Sequence, residues 1–199
     1  MSKSGKGSAY EREFCKALSL WWTDGHYDDC FWRTSQSGGR ATTRRKKGKS
    51  TRGHVGDICA TDEEGIVLLQ YITFELKRGY SKHTVHDLID KPDKAAEQEI
   101  EKWLAQARRA RRHAKSVYWL VVSRRDRREP LMFAPVGLFD RLGITPAASV
   151  TYRTKRRKVL TFQIALLARL WNVDTRMLKK RIDSDVAVSL LEDLGPGPS

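Results

Sequence analysis

Asp57, Glu75 and Lys77 stand in the stretch GHVGDICATDEEGIVLLQYITFELKRG, residues 53–79, where two apolar runs carry charges that a buried sheet does not need. Side chains alternate across a strand, so Glu75 and Lys77 project from one face while Ile72, Phe74 and Leu76 take the other. Pairing of the two runs would bring Asp57 beside Glu75 on the charged face. Two carboxylates held together repel. A divalent cation cancels that repulsion, and hard oxygen ligands of this kind suit magnesium or manganese. A lysine two residues beyond the second acid can hold or polarise a water near a scissile phosphate and stabilise the negative charge that develops there. A Glu-x-Lys pair alone also fits the solvated face of an edge strand. The case for chemistry rests on the conjunction of Gly-Asp-Ile, a tight turn and an apolar run ending in Glu-Leu-Lys, all in a basic chain.

Several elements must hold these residues in place. Tyr10, Phe14, Leu18 and Trp21 recur at helical spacing, and Ser8 suits an N-cap, so the pattern predicts a helix over 8–22. CFWRTS (30–35) reads as a short strand. Residues 55–60 and 66–78 read as a hairpin around TDEEG, with Gly65 taking a positive φ in the turn. A helix over about 94–114 carries Ile100, Trp103, Ala107, Ala110 and Ala114 on one face, acidic at its start and basic at its end as the helix dipole favours. SVYWLVVS (116–123) is a near-continuous apolar run, expected as a central strand covered on both faces. LMFAP (131–135), SVTYRT and KVLTFQ supply further strands, followed by helical stretches 164–171 and 174–182. The expected fold class is α/β, a mixed central sheet flanked by helices. Residues 1–145 form the expected core, interrupted by a basic loop over 36–54. Residues 146–194 form an extension packed on it, and 195–199 a disordered tail.

The chain has 199 residues, 40% of them hydrophobic, which fits one domain with a real core. Its net charge of +14 attracts polyanions, with nucleic acid the leading partner. No apolar run approaches the roughly 20 residues that span a bilayer, and MSKSGKGSAYEREF has no apolar signal core, so the expected location is the cytoplasm. Cys15, Cys30 and Cys59 lack CxxC spacing and read as small buried hydrophobes. His83 and His86 have no further ligands at a useful spacing for zinc. Arg40, Arg44, Arg45, Lys46, Lys47, Lys49 and Arg52 fall in one acid-free loop just upstream of Asp57, where they can clamp phosphates. Arg108, Arg109, Arg111, Arg112 and Lys115 end the second helix, where dipole complementarity also accounts for them.

With these residues in view, Gly56-Asp57 followed by Glu75-Leu76-Lys77 resembles the PD-(D/E)XK nucleases, whose sheet carries an acid on one strand and acid-x-lysine on the next. The family's usual proline before the acid is glycine here. KGSAYEREF and WRTSQSGG resemble the first helix and the small-residue loop of the Holliday-junction resolvase branch. The resemblance runs from about residue 6 to residue 123. It implies a restriction-endonuclease-like core and Mg2+-dependent cleavage of DNA, with Mn2+ able to substitute, and branched DNA as the substrate suggested by that branch. Asp57, Glu75 and the backbone carbonyl of Leu76 would bind the metal, Lys77 would position the water, and Glu11 would serve as an outer ligand or hold a water. Gln106 would approach the site from the following helix. Two local readings stay open: Ser8 and Glu11 also fit a capping box, and Gln106 also fits a satisfied buried amide. Expected DNA contacts are Arg33, the seven loop cations, Arg108 and Arg112. By analogy with two-strand cutters of this fold, a homodimer is expected. The alternative from another class is a non-catalytic DNA-binding protein that reads DNA through IALLARLWNVDTRMLKKRI (164–182) as a helix-turn-helix. RNA binding lacks an aromatic RNP-type strand.

Overall fold

The structure is a computed structural model that describes residues 3–34, 56–92 and 96–193. Helix α1 (Lys3–Trp22) buries Tyr10, Phe14, Cys15, Leu18 and Trp22, a stripe at helical spacing. It begins five residues before the expected start, so Ser8 lies inside the helix and caps nothing. Once the stripe is docked, extension costs little, because each added residue brings one hydrogen bond. The chain leaves α1 through Asp24 and Gly25, both at positive φ, with the Gly25 N–H donating to Leu20 O at 2.7 Å.

Strand β1 (Phe31–Arg33) pairs antiparallel with β2 (Ile58–Ala60), as a separate two-stranded ribbon. The expected hairpin around TDEEG does not form. Asp62 instead caps α2 (Glu63–Tyr71), its side chain accepting from the Gly65 N–H at 3.0 Å. Glu63 and Glu64 follow in the first turn, where the helix dipole favours acids. The apolar run after Gly65 therefore splits into a helix burying Leu68, Leu69 and Tyr71 and a strand that begins only at Ile72. Gly65 is not a positive-φ turn residue. An added Cβ there would lie 2.9 Å from Cys30 O, so its smallness serves close packing.

Strand β3 (Ile72–Gly79) runs parallel to β4 (Tyr118–Arg125), and the crossover between them carries α3 (His86–Ile89) and α4 (Glu99–Ala114). Strand β5 (Leu131–Pro135), a short helix α5 (Leu138–Leu142), β6 (Ala148–Arg153) and β7 (Val159–Leu166) complete a mixed five-stranded sheet in the order β3-β4-β5-β7-β6. Trp119 to Ser123 of β4 are all buried, as a strand covered on both faces requires. Phe74, Leu76, Leu120 and Val122 pack with α1 and α2 on one face of the sheet. Trp119, Val121, Phe133 and Phe162 pack with Ile100, Trp103 and Leu104 of α4 on the other. The domain is thus an α/β sheet between helical layers.

Residues 164–166, expected as part of a helix, continue β7, and 167–172 form a single 3-10 segment before α6 (Thr175–Asp193). No helix-turn-helix is built from 164–182. Leu167, Leu170, Leu178 and Ile182 are buried in the core, and Lys179 pairs with Glu64 at 2.7 Å, so the periodicity there serves packing. Among the described residues no helix is long and apolar enough to cross a membrane.

The cap on α2 sets the geometry that leads into β3. Asp62→Ala should lower stability by about 1 kcal/mol, read as a drop in thermal midpoint. An unchanged midpoint would show that the Asp62 cap contributes nothing.

Candidate active site

Strand β3 is the outer strand of its sheet, so one row of its backbone groups faces away from β4. Gly56 and Asp57 lie along that free edge. The Asp57 N–H donates to Phe74 O at 3.1 Å, and the Leu76 N–H donates to Asp57 Oδ2 at 2.7 Å. From the other side, the Thr34 N–H donates to Asp57 O at 2.9 Å. Gly56 makes this approach possible: its φ is +94°, and an added Cβ would stand 2.6 Å from Phe74 O. Proline, fixed near φ −65°, cannot take this conformation. The glycine that replaces the usual residue before the acid thus has a steric cause.

Glu75 and Lys77 share the sheet face that α4 covers. Glu75 is 2% exposed. Its Oε1 accepts from Lys77 Nζ at 2.7 Å and from Gln106 Nε2 at 2.5 Å, while Gln106 Oε1 accepts from Lys77 Nζ at 3.2 Å. The three side chains close a triangle. Gln106 reaches it because the neighbouring buried residues Trp103 and Ala107 seat α4 against the sheet. The amide is therefore satisfied, and it is satisfied by the site residues.

Glu11 stands at the rim on α1, with Oε2 3.3 Å from Arg33 Nη1. Because Ser8 is inside the helix, the capping-box reading of Glu11 falls. Arg33, expected as a DNA contact, is held in this ion pair. The other expected DNA contacts divide. Arg40, Arg44, Arg45, Lys46, Lys47, Lys49 and Arg52 lie outside the described residues. Arg108 donates to Tyr152 Oη at 3.4 Å, and with Arg112 it lines a cleft against the β6–β7 hairpin rather than the carboxylates. The cations of that hairpin, Lys155 to Lys158, belong to TKRRK, a basic run between two strands whose signal is visible in the sequence and absent from the expected DNA contacts.

Burial disfavours ionisation of the three carboxyls, Glu75, Asp57 and Glu11. Glu75 is pushed up from its ordinary value near 4.5 to about 7, first by burial and next by the Asp57 charge, with Lys77 opposing. Asp57 is also raised by burial, against the Leu76 N–H and Lys77. Glu11 is raised by burial and then by Asp57, with Arg33 and Lys77 pulling down. Among the described residues no three of His, Cys, Asp and Glu form a ready-made metal cluster. The donor chemistry nevertheless fits a hard divalent cation: two desolvated carboxyls that resist simultaneous ionisation, with the Leu76 carbonyl beside them. That carbonyl lies on the free edge because the N–H and C=O of one strand residue point the same way, and the Leu76 N–H points to Asp57.

A model of the family described as "Phage putative PDDEXK endonuclease" matches residues 2–182. No curated protein and no solved structure matched the chain.

Two predictions follow from the geometry. Gly56→Ala forces a clash with the β3 backbone and strains φ, at a cost of about 1–3 kcal/mol. A fall in thermal midpoint should accompany displacement of Asp57, and an unchanged midpoint would contradict the close approach. For Glu75, a folded value above the unfolded one means that the folded chain holds the proton more tightly. The stability it contributes is present below about 4.5 and is lost as pH rises towards 7. In chelator, Glu75→Gln should therefore flatten the fall in thermal midpoint between about pH 5 and pH 7. Parallel profiles for parent and variant would contradict the shift.

Proposed function

The chain belongs to the phage PD-(D/E)XK endonuclease family, and on that footing we propose that it is a magnesium-dependent DNA endonuclease that hydrolyses phosphodiester bonds, with manganese able to substitute. The observation that carries this reading is the joining of Asp57, docked on the free edge of β3, to the Glu75–Lys77–Gln106 triangle. Asp57, Glu75 and the Leu76 carbonyl would hold the cation, with Glu11 at the rim. When bound, the ion supplies Lewis-acid stabilisation of phosphate charge and lowers the pKa of water.

The chain's own residues do the positioning. Gln106 holds Glu75 by donating from Nε2 to its Oε1, and holds Lys77 by accepting from its Nζ at the amide oxygen. An ammonium has three donors. Glu75 and Gln106 engage two of them, which leaves the third for the attacking water or for the negative charge that grows on phosphate. Burial of the cluster lowers the local dielectric, which strengthens that last interaction. The sequence-level resemblance of residues 6–14 to the junction-resolvase first helix supports branched DNA as substrate. Cutting two strands calls for two sites, which supports a homodimer. A cytoplasmic location belongs to the same proposal.

The test is a cleavage assay on labelled duplex, flap, junction and single-stranded DNA, with magnesium, with manganese and with chelator. Asp57→Asn should abolish cleavage while DNA binding persists. Lys77→Ala should retain divalent binding and lower the single-turnover rate by about 100-fold or more. Lys77→Arg should rescue poorly, because a planar guanidinium does not reproduce a compact ammonium. Cleavage by Asp57→Asn at the parental rate would overturn the assignment.

A further inference from the structure

A cleft of 940 Å³ lies between α4 and the tip of the β6–β7 hairpin. Arg108, Arg109 and Arg112 line it from the helix, and Lys155, Arg156 and Lys158 from the hairpin. Among the described residues only two acids line the cleft with these six cations, Glu97 and Glu101, and Glu101 is already committed. It is 3% exposed and accepts from Lys91 Nζ at 2.6 Å and from the Lys155 N–H at 2.7 Å. Arg109, Arg112, Lys155, Arg156 and Lys158 form no ion pair among the described residues. Against one uncommitted acid these cations leave a surplus of like charge in one cleft, and a polyanion relieves the repulsion among them.

The cleft is built rather than incidental. Glu101 ties the hairpin backbone to α4, Arg108 donates to Tyr152 Oη at 3.4 Å, and Thr154 and Lys158 close the turn through Thr154 N–H to Lys158 O at 2.8 Å. Helix-dipole complementarity accounts for cations in the last turn of α4. It does not account for the hairpin cations, which come from a different element and converge on the same space.

Placement separates this cleft from the carboxylates. On a helix that turns about 100° per residue, Arg108 lies about 160° round the axis from Gln106. Arg112 lies about 120° from Gln106 and Arg109 about 60°, so the lining is turned away from the Gln106 side most fully at Arg108. The body of a helix, about 10–12 Å across, stands between Gln106 and Arg108. Along α4 the lining runs from Glu101 to Arg112, about 16 Å at 1.5 Å per residue. That length matches about five base pairs of duplex at 3.4 Å each. The lining contains no aromatic side chain on which bases could stack, so it suits phosphates rather than bases.

We propose that this cleft grips a tract of DNA backbone away from the point of cleavage, holding the duplex beyond the cut without reading its sequence. The proposal rests on the reading of the chain as a DNA nuclease. It is tested by fluorescence anisotropy with a labelled duplex of about 24 base pairs, in chelator so that no cleavage occurs, across a salt series. The variant is the triple Lys155→Gln, Arg156→Gln and Lys158→Gln, all at exposed positions of the hairpin tip. Its log K against log salt should be shallower than the parent's by about 2 to 3, since each phosphate contact contributes about 0.9. Arg109→Gln with Arg112→Gln, on the opposite wall, should shift the slope in the same direction. Lys155→Arg with Lys158→Arg, which keeps the charge, should hold the parental slope. If the parent binds DNA and both neutralised variants bind with its slope, the cleft assignment is overturned and the nuclease reading stands. If the parent itself does not bind DNA, both are overturned.

Discussion

The carboxylate of Asp57 is brought against Glu75 by two hydrogen bonds to the free edge of β3, one from its own N–H to Phe74 O and one from the Leu76 N–H to its side chain, and most of the architecture serves to make that contact tolerable. Burying one carboxylate costs several kcal/mol, and burying two side by side costs more. The fold offsets part of this with the Leu76 N–H on Asp57 and with Lys77 and Gln106 on Glu75. What is left over appears as the raised proton affinity of the pair. On the proposed reading a cation would relieve the repulsion that remains, and stability and chemistry would then depend on the same atoms.

Three features outside the cluster make the contact possible. Strand β3 must be outermost, so that its edge can accept the Gly56-Asp57 segment. Residue 56 must lack a side chain, because the edge backbone passes within 2.6 Å of where a Cβ would stand. Helix α4 must pack flat on β3 and β4, so that Gln106 meets Glu75 on one flank while the other flank is left for basic residues. A single helix therefore supports the carboxyl cluster and one wall of the distal basic cleft.

Much of this is legible in the sequence where the controlling interactions are local. Strand alternation alone puts Glu75 and Lys77 on one face. The apolar run 116–123 announces a doubly covered strand, and helical spacing marks the buried face of α4. The proximity of Asp57 to Glu75 is also anticipated, but through a hairpin that does not exist: β2 pairs with β1, and α2 separates it from β3. The misreading has a physical origin. GIVLLQYITF is apolar apart from Gln70 and Thr73, so it lacks the periodicity that separates helix from strand, and the discriminating signal is the Asp-Glu-Glu start just before it. The steric demand at Gly56 and the pairing of Glu11 with Arg33 depend on contacts 18 and 22 positions apart in the chain, which no local pattern encodes. The two apparent helices near the C-terminus share the apolar spacing of a reading module, yet that spacing is spent on the core.

The most direct test of the carboxyl pair as a cation site is a calorimetric titration of manganese into the chain near pH 6, repeated in two buffers of different ionisation enthalpy. At that pH the pair retains a proton that a bound cation must displace. The account predicts that the apparent binding enthalpy changes between the buffers, reporting proton release on binding, and that Glu75→Gln binds manganese weakly with no such release. Binding by the parent without proton release, or undiminished binding by Glu75→Gln, would contradict it.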